Sequence, residues 1–389
     1  MKKEFRPDVL VIGAGFAGSV CAREFAEKGM RVLVLEQRPH IAGNMFDGPD
    51  ESGLMIHWYG PHIFHTNNRR VFHWLDRFTD WVPYEHRVLG RIQGQEVPIP
   101  FNFTAIDTLF PSKTAQQLKE RLVQSFPNKD RVTISELISH QDEELARLGE
   151  FIFENVFVHY TAKQWGISAE QVDSTVINRV PVLLSYDARY FQDEWQFMPK
   201  HGYTELFNQI LNHENIICRL GVSTSEVLRL EDDGILSFEG ERFDGPVIYT
   251  GAPDQLLNYC FGRLAYRSLD LYFETIRKTR FQKAAVVNYP NEEKFTRITE
   301  FKQLTGQIKE GVTAILKEYP CAYTGTDALE PYYPIETAAN RRQYESYQNK
   351  LSTWKNLYLC GRLAQYKYFN MDEVIESALQ LSAGIMKIH

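Results

Sequence analysis

Gly13, Gly15 and Gly18 stand in G-x-G-x-x-G spacing, and Glu36 follows about twenty residues on, as dinucleotide recognition requires. The first glycine makes a tight turn, the second lets the backbone approach a pyrophosphate, and the third lets helix and strand pack. The start of the following helix offers N–H groups and a partial positive charge to the phosphates. Glu36 can accept from ribose hydroxyls. The triplet alone is a weak signal, so its setting decides. Asp8 to Ile12 is an apolar run suited to a buried parallel strand, and Phe16 to Lys28 carries apolar and small residues at helical spacing. Gly29 ends that helix and Arg31 to Glu36 reads as a second strand, giving one β-α-β unit.

Three more segments favour FAD over NAD. "EQRPHIAGN" keeps Glu36, Arg38 and Gly43 of an E-x-R-x-x-x-G-G pattern, with Ala42 in place of one glycine. "VIYTGAPDQ" supplies Thr250 and Gly251, and "YLCGRL" supplies Gly361 and Arg362 ahead of the last helix. A flavin is long and needs contacts from both ends of the chain. The expected cofactor set is therefore Gly13, Gly15, Phe16, Gly18, Glu36, Gln37, Arg38, Gly43, Asn44, Thr250, Gly251, Gly361 and Arg362. His62, in "IHWYGPHIFHT", either lies against the isoalloxazine or is merely packed. Its spacing from His57 and His65 fits no standard zinc pattern, and no metal is expected.

A second kind of chemistry is written in arginines and tyrosines. Arg179, Arg267 and Arg297 each sit beside a strand-like or turn segment, and singly each reads as a solvated or salt-bridged side chain. Together with Tyr190, Tyr332, Tyr333, Tyr366 and Tyr368 they could clamp a diphosphate, because guanidinium binds phosphate oxygens bidentately and phenols donate single hydrogen bonds. Tyr160 and Trp165, in "HYTAKQWGI", read on their own as core.

A chain of 389 residues exceeds one ordinary core and suits two or three joined domains. A net charge of -7 gives no overall basic field, which argues against nucleic acid and anionic membrane as partners. Five cysteines without a CxxC pair indicate reduced thiols. The apolar run ending at Gly13 is too short for a signal peptide, and no run reaches the roughly 18 residues of a span. A cytoplasmic protein is expected. Thr114 to about Tyr160 is helical text, with Thr133 and Glu136 set as a capping box. Past Trp165, "LDLYFETI", "KAAVVNYP", "FTRITEF" and "VTAILKEYP" read as an antiparallel sheet. The expected fold is α/β: a discontinuous Rossmann-like FAD-binding domain (1–100, 201–260 and 340–389), an inserted helical domain with a mobile lid (101–180), and an antiparallel β-sheet substrate domain (181–200 and 261–339).

With "YGPHIFHT", "PFN", "YTAKQWG", "NRVPV", "TRITE", "EPYYP" and "GRLAQYKYFNM" in that order, the sequence resembles the bacterial UDP-galactopyranose mutases from about Asp8 to the last helix. The resemblance implies interconversion of UDP-galactopyranose and UDP-galactofuranose through a sugar adduct at N5 of reduced FAD. It implies a cellular reductant, a homodimer and a role in cell-surface polysaccharide synthesis. It assigns the diphosphate to Arg179 and Arg297, with Tyr190, Tyr332 and Tyr368 adding hydrogen bonds and Arg267 nearby. Tyr160 falls at the uridine and Trp165 near the sugar, Asn102 and Asn370 join the substrate set, and His62 lies against the flavin. Arg179 would ride on a lid from about Gly166 to Asp187, and the aromatics after Arg362 would line the junction of flavin and sugar nucleotide. Asn370 stands where most bacterial members have aspartate, which leaves the sugar open: an acetamido or deoxy relative of galactose is the alternative. So is an FAD oxidoreductase of the amine-oxidase type, although the polar arginine and tyrosine set suits an apolar substrate poorly.

Overall fold

Alternate residues of the strand Val9–Ile12 enter different cores, which is why the strand is apolar throughout. Val9 and Val11 join Val20, Phe25 and Phe207 on one face, while Leu10 and Ile12 join Leu33, Val247 and Trp354 on the other. In the computed structural model, which describes residues 6–166, 180–231, 233–326 and 329–387, this strand is central to a five-stranded parallel sheet. The order is Ile216–Leu220, Val32–Glu36, Val9–Ile12, Val247–Tyr249 and Leu357–Leu359. The first helix, Phe16–Ala26, packs between the sheet, the helix Tyr203–Leu211 and the last helix, Met371–Ile385.

A second, seven-stranded sheet runs Tyr333–Pro334, Tyr266–Ile276, Thr313–Ala322, Arg297–Glu300, Val286–Asn288, Val88–Ile92 and Gln95–Ile99. The sheet expected to be antiparallel is in fact mixed. Val286–Asn288 lies parallel to Val88–Ile92, because a hairpin from much earlier in the chain completes the edge. The segment Trp195–Pro199 does not join it but pairs with Phe64–Thr66 and Trp81–Pro83.

The helical insert packs on that hairpin, with Phe101, Ile106, Leu122 and Leu148 meeting Ile92, Val97 and Ile99. The capping box forms as its sequence predicts: Glu136 N–H donates to Thr133 Oγ1 at 3.2 Å, and Thr133 N–H to Glu136 Oε2 at 2.7 Å. After the helix Glu143–Ile152 comes a π-helical stretch, Phe153–Val158, and then the helix His159–Trp165, which carries Tyr160. Among the described residues no helix is long and apolar enough to cross a membrane.

Candidate active site

Four loops at the carboxyl ends of parallel strands meet the first turn of the helix Phe16–Ala26. Gly13 has φ +106°, and a Cβ there would lie 2.0 Å from Thr250 Oγ1, which donates to the Ile12 carbonyl at 2.7 Å. A Cβ on Gly18 would lie 1.9 Å from the Gly13 carbonyl oxygen. Gly15 faces Gly43 nearly backbone to backbone, and a Cβ on Gly361 (φ +98°) would lie 2.9 Å from Ala17 Cβ. The helix begins at Gly15 without a side-chain cap, so its first N–H groups are left for a ligand.

Glu36, buried at the end of its strand, accepts from the N–H groups of Ala14 (2.8 Å) and Arg38 (2.9 Å), one on each oxygen. Arg38 pairs with Glu330 at 2.6 Å, donates to Asn44 at 3.0 Å and lies 4.3 Å from the Tyr59 ring centre. Phe16 packs on Phe207, 4.6 Å between ring centres, and so offers the cradle its backbone rather than its ring. Gln37 is exposed at the rim, and Gly251 stands so close to Tyr249 that a Cβ would lie 2.6 Å from the phenol oxygen.

His62 follows Gly60 (φ +97°) in the loop leading to Phe64–Thr66, and its N–H donates to His57 Nδ1 at 3.0 Å. That bond fixes His57 with its proton on Nε2. Burial holds His57 down to about 4 against the opposing pull of Asp47. His62 is held well below the ordinary histidine value by burial first, then by His57 and Arg362. Both rings are neutral at physiological pH.

Between the seven-stranded sheet and the Tyr160 helix lies a cavity of about 240 Å³. Ile99, Val156 and Phe157 give it apolar lining, while Arg297, Asn288, Tyr190, Tyr333 and Tyr368 give it polar lining. Arg297 sits in a cross-strand row with Asn288 on one side and Glu318 on the other. Its Nε donates to Glu318 Oε1 at 2.7 Å, and the carboxylate is 1% exposed. Burial pushes the phenols of Tyr160, Tyr190 and Tyr333 up, so they remain hydrogen-bond donors.

Arg267 also lines the cavity, but its geometry is that of a helix cap. Nε donates to Gln164 O at 2.9 Å and Nη2 to Lys163 O at 3.4 Å, in the last turn of the Tyr160 helix. Lys163 Nζ anchors the same turn to the carbonyls of Tyr289 (2.5 Å) and Glu293 (2.9 Å). Gly166 closes the helix in the left-handed conformation, and a Cβ there would lie 2.5 Å from Arg267 Nη1.

Other expected residues are distributed differently. Tyr333 rather than Tyr332 faces the cavity; Tyr332 is 5% exposed and its carbonyl accepts from Arg362 at 3.2 Å. Tyr366 does not line a ligand junction: it is fully buried against Tyr266 and Tyr344, and its hydroxyl donates to Ala265 O at 2.7 Å. Asn102 is buried as the N-cap of the helix Phe103–Leu109, accepting from Ala105 N–H at 3.1 Å and donating to Asp187 O at 2.8 Å. Asn370 opens the last helix, its N–H donating to Glu373 at 2.7 Å. Arg179 and residues 167–179 of the expected lid lie outside the described residues, as does the Trp165 side chain.

Asn288 and Phe157 were missed: no local motif marks them, since strand and helix contacts bring them in. His86, in the loop ahead of Val88–Ile92, stands against Tyr190. His86 accepts on its carbonyl from Tyr190 N–H at 2.7 Å, and burial, followed by the nearby Arg297 charge, drives its imidazole down to about 3. Among the described residues no three His, Cys, Asp or Glu side chains gather as a metal site would need.

Cradle and cavity together define a dinucleotide-binding α/β protein with a separate site for an anionic, partly apolar ligand. A Rossmann-like NAD(P)-binding domain model matches residues 11–78, and the UDP-galactopyranose mutase model matches residues 155–368. The chain is 36% identical to UDP-galactopyranose mutase of Mycoplasma genitalium over 95% of its own length and 92% of the relative's. It is 33% identical to dTDP-fucopyranose mutase of Escherichia coli, covering 97% and 98% of the two chains. A crystal structure of reduced UDP-galactopyranose mutase superposes with a TM-score of 0.71 at 17% identity, over 99% of this chain and 94% of that one. The chain belongs to the UDP-galactopyranose mutase family and is an enzyme of the isomerase kind.

Proposed function

We propose that the enzyme interconverts UDP-galactopyranose and UDP-galactofuranose with reduced FAD bound in the Gly13–Gly18 cradle. The observation that carries this reading is the adjacency of two sites: Arg362 follows the cradle glycine Gly361 and stacks on Tyr333 and Tyr368 of the cavity wall. The cradle fits FAD in kind. Gly13 and Gly18 allow the close approaches that hold the turn and the helix start together, that helix start is uncapped, and chain segments from both ends close on it.

Bound reduced FAD supplies a nucleophile for the anomeric carbon. The chain's own residues bind and orient the substrate and shield it from water. Arg297, held charged and aimed by Glu318, takes the diphosphate, with Tyr190, Tyr333 and Tyr368 donating to its oxygens. Phe157 and Tyr160 face the base, Trp165 and Asn370 belong on the sugar side, and Arg179 is the second phosphate-binding arginine in this reading. His62 lies against the flavin as a neutral ring, so it adds no charge beside the reacting carbon.

A second reading rests on the dTDP-fucopyranose mutase relative: the sugar is a deoxyhexose and the base is thymine. Both are tested together by anaerobic incubation with UDP-galactose or dTDP-fucose, with and without dithionite, and separation of the nucleotide sugars by anion exchange. A furanose product from UDP-galactose in the reduced sample alone is expected. Equal turnover with oxidised flavin would overturn the proposal, and product from dTDP-fucose alone would transfer it to the second reading.

A further inference from the structure

We propose that Arg362 is a positioning residue for the substrate: lodged between cradle and cavity, it fixes the Tyr333 and Tyr368 rings in one geometry. This rests on the mutase reading and deepens it. Tyr333 and Tyr368 stack with ring centres 5.9 Å apart and planes within 24°. They come from different segments, one at the sheet edge and one in the turn before the last helix, so neither backbone alone dictates their contact. The Arg362 guanidinium lies 5.6 Å from one ring centre and 5.1 Å from the other. The same group donates to the carbonyls of Tyr332 and Phe369, the residues next to each tyrosine in the chain.

One planar fork thus holds both backbones and both ring faces. Among the described residues no carboxylate pairs with it, unlike Arg38 and Arg297, so its orientation is set by these four contacts. Its charge also reaches His62, whose protonation it opposes. Lysine cannot replace such a fork, since an ammonium is a single point charge that cannot span two carbonyls in fixed geometry. Gly361, one residue earlier, is packed on Ala17 at the start of the first helix, so the tyrosine pair is tied to the cofactor cradle through a single residue.

The test is a double-mutant cycle in the flavin-loaded enzyme, reading UDP affinity by calorimetry and cofactor content by flavin absorbance per chain. Arg362→Met should weaken UDP binding about tenfold, and Arg362→Lys should restore only part of that. Tyr368→Leu should cost a similar factor, and the Arg362→Met/Tyr368→Leu double variant should be little weaker than either single one. Strictly additive losses, or wild-type affinity in Arg362→Met with cofactor retained, would overturn the proposal. A crystal structure of the Arg362→Met holoenzyme gives a second readout that needs no ligand: displaced rings support the proposal, and rings at their present positions overturn it. A wild-type enzyme that does not bind UDP would instead sink the mutase reading, while the ring positions would still decide this one.

Discussion

Glu318 lies directly across the strand pair from Arg297, its carboxylate 2.7 Å from Nε and its side chain 1% exposed, while the arginine side chain, which lines the cavity, remains 26% exposed. One end of the arginine is therefore neutralised inside the sheet, and among the described residues the other has no carboxylate of its own.

Removing the buried partner strands a charge, which costs about 3 to 5 kcal/mol where the pair is fully desolvated. Arg297 is partly solvated, so Glu318→Ala should lose roughly 2 to 3 kcal/mol in urea unfolding and also weaken UDP binding. Arg297→Ala leaves the 1%-exposed Glu318 carboxylate without its partner, so it should cost at least as much stability, about 3 to 5 kcal/mol, and weaken UDP by about 2 to 5 kcal/mol, read by calorimetry. Unchanged UDP affinity in Arg297→Ala would show that the diphosphate lies elsewhere.

Stability should fall on acidification. His57 titrates at about 4 and His86 at about 3 in the folded chain, against 6.5 when unfolded. Both folded values are depressed, so the unfolded chain takes up protons first. The contribution is complete above the unfolded value and drains as pH drops toward the folded ones, by up to about 1.4 kcal/mol per pH unit for each ring. Thermal melts between neutral and mildly acidic pH should show this, and His57→Gln, which keeps an acceptor for His62 N–H, should flatten the slope.

Gly13→Ala should abolish cofactor retention. The new methyl would need φ +106° and a 2.0 Å approach to Thr250 Oγ1. Gly94→Ala provides the contrast, because its φ is +78° but nothing lies within 4 Å of the added carbon. It should cost only backbone strain of about 1 to 2 kcal/mol and leave the flavin spectrum per chain unchanged.

Gly166→Ala should loosen the Tyr160 helix. It combines a left-handed backbone with a 2.5 Å clash against Arg267, the side chain that caps that helix. The expected result is a loss of about 2 kcal/mol in stability and a raised KM for the sugar nucleotide. A normal KM would show that the helix end does not position Tyr160.

The nucleotide cradle was legible because its constraints are local. Gly13, Gly15 and Gly18 fall within one strand-to-helix turn, where Gly13 takes φ +106° and Gly18 meets the Gly13 carbonyl, and Glu36 ends the adjacent strand. The Thr133 and Glu136 cap was legible for the same reason. The facing of Tyr332 and Tyr333 was not, since a two-residue strand has no alternation to read and one step of register exchanges the faces. Arg267 carried a signal for charge but none for its partner: the Lys163 and Gln164 carbonyls belong to a helix end about a hundred residues away in sequence, and only packing brings them together. The parallel join between Val88–Ile92 and Val286–Asn288 was equally silent, because a three-residue strand carries no pattern that tells parallel from antiparallel pairing.

The π-helical stretch Phe153–Val158 has a consequence for how this site could change over generations. A wide turn is what an α-helix becomes when it absorbs one extra residue without unravelling. Losing the extra residue would restore the regular winding and leave the flanking turns close to where they are, whereas a residue lost from a regular α-helix turns everything beyond it by about 100°. Val156 and Phe157, which lie in the wide turn, would shift against the cavity, while the sheet bearing Arg297 stayed untouched. A single codon gained or lost is thus a ready means of reshaping the wall given by Val156 and Phe157 without disturbing the one given by Arg297.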